Sequence, residues 1–261
     1  MSAPLVRVKV YDHAGTIILN RPEKRNALTR ALLADLRQAF DDLHQEKRVR
    51  AVILTGAGTA FCAGMDLDEM RETSRQPRPH EQWREDAIAY QDLVEQMLRF
   101  PRPIIAAVNG PAVAGGAGLV LACDIVIASA GAAFGLPEPK RGIVAGIVSP
   151  LLAFRVGGGQ AARLLLTAAT IDANEAHRLG LFHELIDEDR LWARAVELAG
   201  QCAQSAPQAL QLTKRMLNET IGESLFGQLT SGAAVSATAR TTEAATEGLN
   251  AFLEKREPRW P

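Results

Sequence analysis

The chain has 261 residues, 47% hydrophobic but only 5% aromatic, enough for one large or two small domains packed by small aliphatic side chains. Lysine plus arginine number 29 against 30 aspartate plus glutamate, so no charge excess draws the chain to nucleic acid or an anionic membrane surface, and neither is expected as a partner. Cys62, Cys123 and Cys202 form no C-x-x-C pair, the five histidines show no metal-binding spacing, and neither a signal-peptide core nor a run of about 18 apolar residues is present, so a soluble, cytoplasmic, metal-free protein is expected.

In chain order, Leu5 to Tyr11 and Thr16 to Leu19 predict two strands around an Asp12 to Gly15 turn. Leu28, Leu32, Leu36, Phe40 and Leu43 then recur at helical spacing, with Thr29 as N-cap. Val49 to Thr55 reads as a strand covered on both faces. The polar, proline-bearing segment from Arg71 to His80 predicts a mobile surface stretch, and the helix from about Gln82 to Arg99 a lid. Ile104 to Val108 and Asp124 to Ala128 predict strands flanking a short helix from Gly115 to Ala122. Gly157 to Gly159 reads as a loop. From about Gln160 the strands are expected to stop, leaving helices at 160–166, 174–179, 189–204, 207–219 and 241–255.

Two glycine-containing turns carry the chemistry. In Asn109 to Gly118 bare backbone can approach a ligand, and the helix that follows turns its unpaired N–H groups and positive end toward it. Gly115 is the expected donor. Phe61-Cys62-Ala63-Gly64-Met65-Asp66-Leu67 also follows a buried strand and can supply a second backbone N–H, and two such donors form an oxyanion hole. Glu138, in the Phe134 to Glu138 loop, is the carboxylate expected to move a proton. No G-x-G-x-x-G, G-x-x-x-x-G-K-[ST] or G-x-S-x-G motif supports a dinucleotide, phosphate-loop or serine-nucleophile reading.

The chain resembles the crotonase, or enoyl-CoA hydratase/isomerase, family. The likeness is carried by Leu19-Asn20-Arg21-Pro22 with Lys24 to Leu28, Phe61 to Leu67, Ala107 to Gly118 with Cys123-Asp124, Phe134 to Glu138, and Phe252 with Lys255-Arg256. The resemblance implies an α/β fold, a spiral of repeated ββα units over residues 1–200, with a C-terminal helical trimerisation region over 201–261, in a homotrimer or homohexamer. It implies an acyl-CoA substrate and no other cofactor. By similarity the N–H groups of Met65 and Gly115 hold the thioester oxygen. Lys24 and Arg25 meet CoA phosphates, Ala27, Ala63, Asp66 and Leu67 lie along the CoA, and Phe252 and Lys255 complete its contacts, Lys255 from a neighbouring subunit. Asp66 has an alternative role as a helix cap.

The two-carboxylate hydratases of this family carry a glutamate where this chain has Gly118, and a second one at Glu138. Hydration or dehydration of a 2-enoyl-CoA is therefore weighed against double-bond isomerisation with Glu138 as sole acid and base. A third reading is a non-catalytic CoA-binding homologue. Glu69, Glu72, Glu81 and Glu85 are the acids that could complement Glu138.

Overall fold

A computed structural model describes residues 3–260. Strands β1 (Val6–Tyr11) and β2 (Ala14–Leu19) pair antiparallel around the expected turn, and α1 (Arg30–Gln45) begins at Thr29, whose hydroxyl accepts from the Leu32 N–H at 3.1 Å. β3 (Ala51–Gly56), β4 (Ile104–Val108), β6 (Ile125–Ser129) and β9 (Glu184–Ile186) extend β2 in parallel into a six-stranded sheet. A smaller sheet joins β5 (Ala112–Val113), β7 (Ala133–Gly135) and β8 (Thr170–Asp172).

Alternation along β3 shows why this strand is apolar throughout. Val52 and Leu54 belong to one core with α1 and α3 (Pro79–Arg99), while Ala51 and Ile53 pack with Ile105, Ile127 and α7 (Leu191–Ala203) on the other face. β4 and β6 each send their chain on to a short strand of the small sheet and then a helix, α4 (Gly115–Ala122) and α5 (Val148–Thr167) respectively. Repetition of this ββα unit winds the chain into the expected spiral.

Several expectations need correction. Strands continue past residue 160: β8 and β9 flank α6 (Ala173–Arg178), and at three residues each they are too short to leave an alternating signature. The expected loop at Gly157 to Gly159 shrinks to one non-helical residue, Gly157 at φ 75 and ψ 159, which breaks α5 into two helical stretches with Gly158 and Gly159 in the second. Much of the polar stretch after Arg71 is helical, since α2 (Leu67–Ser74) buries Met70 and Thr73 and exposes its charged side chains elsewhere. α3 is a wall of the core, with Leu93, Val94 and Met97 fully buried, and packs against α1 and α9 (Glu223–Ala239). Its depth rules out the lid role. α8 (Pro207–Arg215), a π-helical turn (Met216–Ile221), α9 and α10 (Glu243–Leu253) form the C-terminal helices.

Candidate active site

Three backbone segments lie side by side and run the same way. Cys62 bridges to Ala112, and Ala112 pairs with Phe134, both in parallel register. Met65 stands three residues past Cys62, Gly115 three past Ala112, and Glu138 four past Phe134, so the small sheet delivers all three to one edge. There they line a single cavity of about 380 Å³.

Close backbone approach brings the two amides together. Gly64 has φ +87, and a Cβ added there would stand 2.7 Å from Ala114 Cβ and 3.1 Å from the Gly115 nitrogen. Only glycine fits both the torsion and the space. Ala114 holds φ 53 and ψ −123, a conformation that costs a residue with a side chain on the order of 1–3 kcal/mol. Its own N–H is fixed by the Gly135 carbonyl at 2.9 Å. Among the described residues neither the Met65 N–H nor the Gly115 N–H has a protein acceptor, so both remain available at the cavity wall.

Glu138 is only 6% exposed, and among the described residues its Oε2 has no hydrogen-bond partner. Burial outweighs the opposing pull of its own backbone N–H and of Arg141, and pushes its pKa up to about 7. A carboxyl poised there both takes and returns a proton near neutrality. The other acids on this wall are already engaged. Asp68 meets Lys24 at 3.1 Å and Arg71 at 3.3 Å. Asp66 caps α2 by accepting from the Asp68 and Glu69 N–H groups and from Arg21 at 3.0 Å. Burial alone would raise the Asp66 carboxyl, but Arg21 and the cap amides hold it below the usual range. The cap role thus accounts for its side chain.

Lys24, Arg25, Ala27, Ala63, Leu67 and Phe252 also line this cavity. Arg25 and Ala63 are tied by a 3.0 Å backbone bond, and Leu28 bonds to Gly64 and Asp66 on either side of Met65. Lys255 is exposed and stands outside the cavity of its own chain. None of Glu69, Glu72, Glu81 and Glu85 reaches this wall; Glu69 accepts from the Arg30 N–H at 3.1 Å and Glu81 pairs with Arg78 at 3.2 Å.

The space beside Gly118 is taken by Tyr90 of α3. A Cβ at Gly118 would overlap the Tyr90 hydroxyl and stand 2.9 Å from Val148 Cγ2. That hydroxyl donates to the Gly115 carbonyl at 2.5 Å, and burial first, then the charges of Cys62 and Glu138, raise its pKa well above the usual value. Tyr90 therefore stays neutral and supports the backbone of the second amide. Sequence reasoning missed it, because tyrosine at a helical interval reads as core. Asn26 was missed as well: fully buried, it accepts from the Arg21 N–H and donates to the carbonyls of Ala57, Ala60 and Phe61, which clamps the turn leading to Met65. Its signal, a buried asparagine in left-handed backbone at φ 56, is visible only in three dimensions.

The enoyl-CoA hydratase/isomerase family model matches residues 11–261. A Thermus thermophilus protein carrying an enoyl-CoA hydratase name is 41% identical, covering 95% of this chain and 97% of its own. The 2,3-dehydroadipyl-CoA hydratase of Escherichia coli is 34% identical over 93% of this chain and 92% of its own. Among solved structures, an enoyl-CoA hydratase/isomerase from Xanthobacter autotrophicus Py2 matches with a TM-score of 0.89 and 31% identity, covering 100% of both chains. With the two open amides and the buried glutamate on one cavity, these likenesses show that the chain is an enzyme of the crotonase fold and belongs to the enoyl-CoA hydratase/isomerase family.

Proposed function

We propose that the protein adds water to a 2-enoyl-CoA thioester, or removes it in the reverse direction, through an enolate held by the N–H groups of Met65 and Gly115. The observation that carries this reading is one unpaired carboxyl, Glu138, on the wall of the cavity that those two amides line. Glu138 takes a proton from water as the oxygen bonds to C3. The C2=C3 electrons pass into the thioester, whose oxygen becomes the anion the amides stabilise. The protonated Glu138 then gives its proton to C2 as the enolate collapses, so one group serves both transfers. No cofactor enters beyond the CoA of the substrate. Lys24 and Arg25, at the exposed side of the cavity, face its phosphates, while Ala27, Ala63, Leu67 and the backbone of Asp66 lie along it, with Phe252 and, from a neighbouring subunit, Lys255.

A second reading, double-bond isomerisation, is favoured by Tyr90 filling the space beside Gly118, which leaves Glu138 without a partner acid. The same glutamate would then remove a proton from one carbon and return it to another across a dienolate. Incubation with a 2-enoyl-CoA and a 3-enoyl-CoA in deuterated water separates the two. A 3-hydroxyacyl product with one deuterium at C2 is expected; a shifted double bond without oxygen gain selects isomerisation, and inertness to both defeats each.

A homotrimer, or a pair of trimers, built through residues 201–261 is part of the same proposal, as is the division from a core at 1–200. Exposed Leu212, Met216 and Leu217, on α8 and the turn after it, support a face covered by another copy. Light scattering is expected to give three or six times the chain mass, and a single-chain mass would refute it. The site is proposed to work in the cytoplasm; among the described residues no helix is long and apolar enough to cross a membrane.

A further inference from the structure

A second cavity, of about 230 Å³, adjoins the first and shares Leu67, Met70, Arg141, Ile143 and Arg240 with it. Its walls come from α2, the start of α3, the turn after Glu138 and α10, and they carry four arginines, Arg71, Arg75, Arg141 and Arg240, with no acidic residue. Arg240 is 9% exposed and Trp83 is 7% exposed. Among the described residues, Arg240 Nη1, Trp83 Nε1, Arg141 Nε and Arg71 Nε are all buried without a hydrogen-bond partner. Four orphaned donors on residues that line one cavity are a large departure from the rule that buried polar groups are satisfied.

Neighbouring acids do not supply the missing acceptor. Asp86, the acid whose charge acts on Arg240, is held bidentately by Arg30 at 2.6 and 2.7 Å. Asp68 meets only the Nη2 of Arg71, at 3.3 Å. Arg141 has Glu138 nearby but stacks on the Phe252 ring at 4.3 Å rather than bonding to it. Burial lowers the pKa of Arg141 and Arg240, an effect that Glu138 and Asp86 only partly offset, yet guanidinium stays charged. Uncompensated buried charge of this kind is costly unless a ligand brings the counter-charge.

Building on the acyl-CoA reading of the first cavity, we infer that the second receives a carboxylate at the far end of the acyl chain, so that the substrate is the CoA monothioester of a dicarboxylic acid. Leu67, Met70 and Ile143 form the apolar neck for the methylenes, and the arginine fork and the indole N–H meet the anion.

Calorimetric binding of adipoyl-CoA and hexanoyl-CoA, which differ only at the chain end, tests this without turnover. The wild-type protein is expected to prefer adipoyl-CoA by at least about tenfold, since removing one partner of a buried charged contact costs roughly 30-fold or more. Arg240→Met should bring the ratio near one. Trp83→Phe, which keeps an aromatic ring and loses the N–H, should lower the ratio several-fold, so the test survives if the first variant fails to fold. Equal binding of the two esters by the wild-type protein would overturn the inference. So would an equal loss on both in Arg240→Met, which would assign the cations to a CoA phosphate. Turnover of the matching 2-enoyl esters is measured separately, so inertness there defeats the proposed reaction and leaves the binding result to decide this inference.

Discussion

Glu138→Gln is expected to lower turnover by about 10³-fold or more while leaving CoA binding nearly intact, because positioned proton transfer contributes roughly 10²- to 10⁴-fold and no other unpaired acid lines the cavity. The same substitution should stabilise the fold in a pH-dependent way. Folding raises the Glu138 pKa from its ordinary 4.5 to about 7, so above neutrality the native state holds a buried charge that the unfolded chain solvates freely. As pH falls from 7 toward 4.5 the native state takes up a proton that the unfolded state does not, and wild-type stability gains. The Glu138→Gln protein, always neutral at this position, should therefore exceed the wild type by up to about 3 kcal/mol at pH 8 and by almost nothing at a pH of about 4.5. Denaturant titrations at the two pH values measure the difference, and wild-type kcat/KM should fall about tenfold per pH unit below 7. Full turnover in the variant would remove Glu138 from the chemistry.

Gly64→Ala should be nearly as damaging to catalysis through a different route. The added methyl would press on Ala114 Cβ at 2.7 Å and crowd the Gly115 nitrogen, at a backbone torsion of +87° that L side chains rarely adopt. Relief requires the Met65 turn and the start of α4 to separate, and the two amides with them. Loss of a single oxyanion donor costs about 10²- to 10³-fold in kcat, and the expected effect is of that size. Crowding of a packed site adds roughly 1–3 kcal/mol of destabilisation. KM should change less, since the clash is with Ala114, Val113 and Gly115 and not with the Lys24 or Arg25 side chains. Crucially, the pH profile should keep its inflection near 7, because Glu138 is untouched. A kcat within about threefold of the wild type would refute the converging-amide geometry.

The hydrophobic period and the chain-local glycine turns were legible because both are short-range properties. Alternating or continuous apolar runs marked β1 to β4 and β6, and Thr29 marked the start of α1. The Gly64 and Gly115 turns identified themselves, since close approach of backbone excludes a side chain and so leaves its trace in composition. Short strands escaped notice. β5, β7, β8 and β9 pair over only two or three residues with each neighbour, and their existence depends on partners far away in the chain.

By itself the sequence determined the α/β alternation and the family, and singled out Met65, Gly115 and Glu138 as the proposed donors and acid. Tertiary structure alone decided how those pieces meet. Parallel pairing of Cys62, Ala112 and Phe134 brings Met65, Gly115 and Glu138 to one cavity, Tyr90 closes the space beside Gly118, and Asp66 is consumed by a helix cap. The arginines of the second cavity are the sharpest case. Separated along the chain and balanced by acids in the overall charge, they line one cavity only because folding brings α2, the turn after Glu138 and the end of α9 together, with Arg240 buried among them.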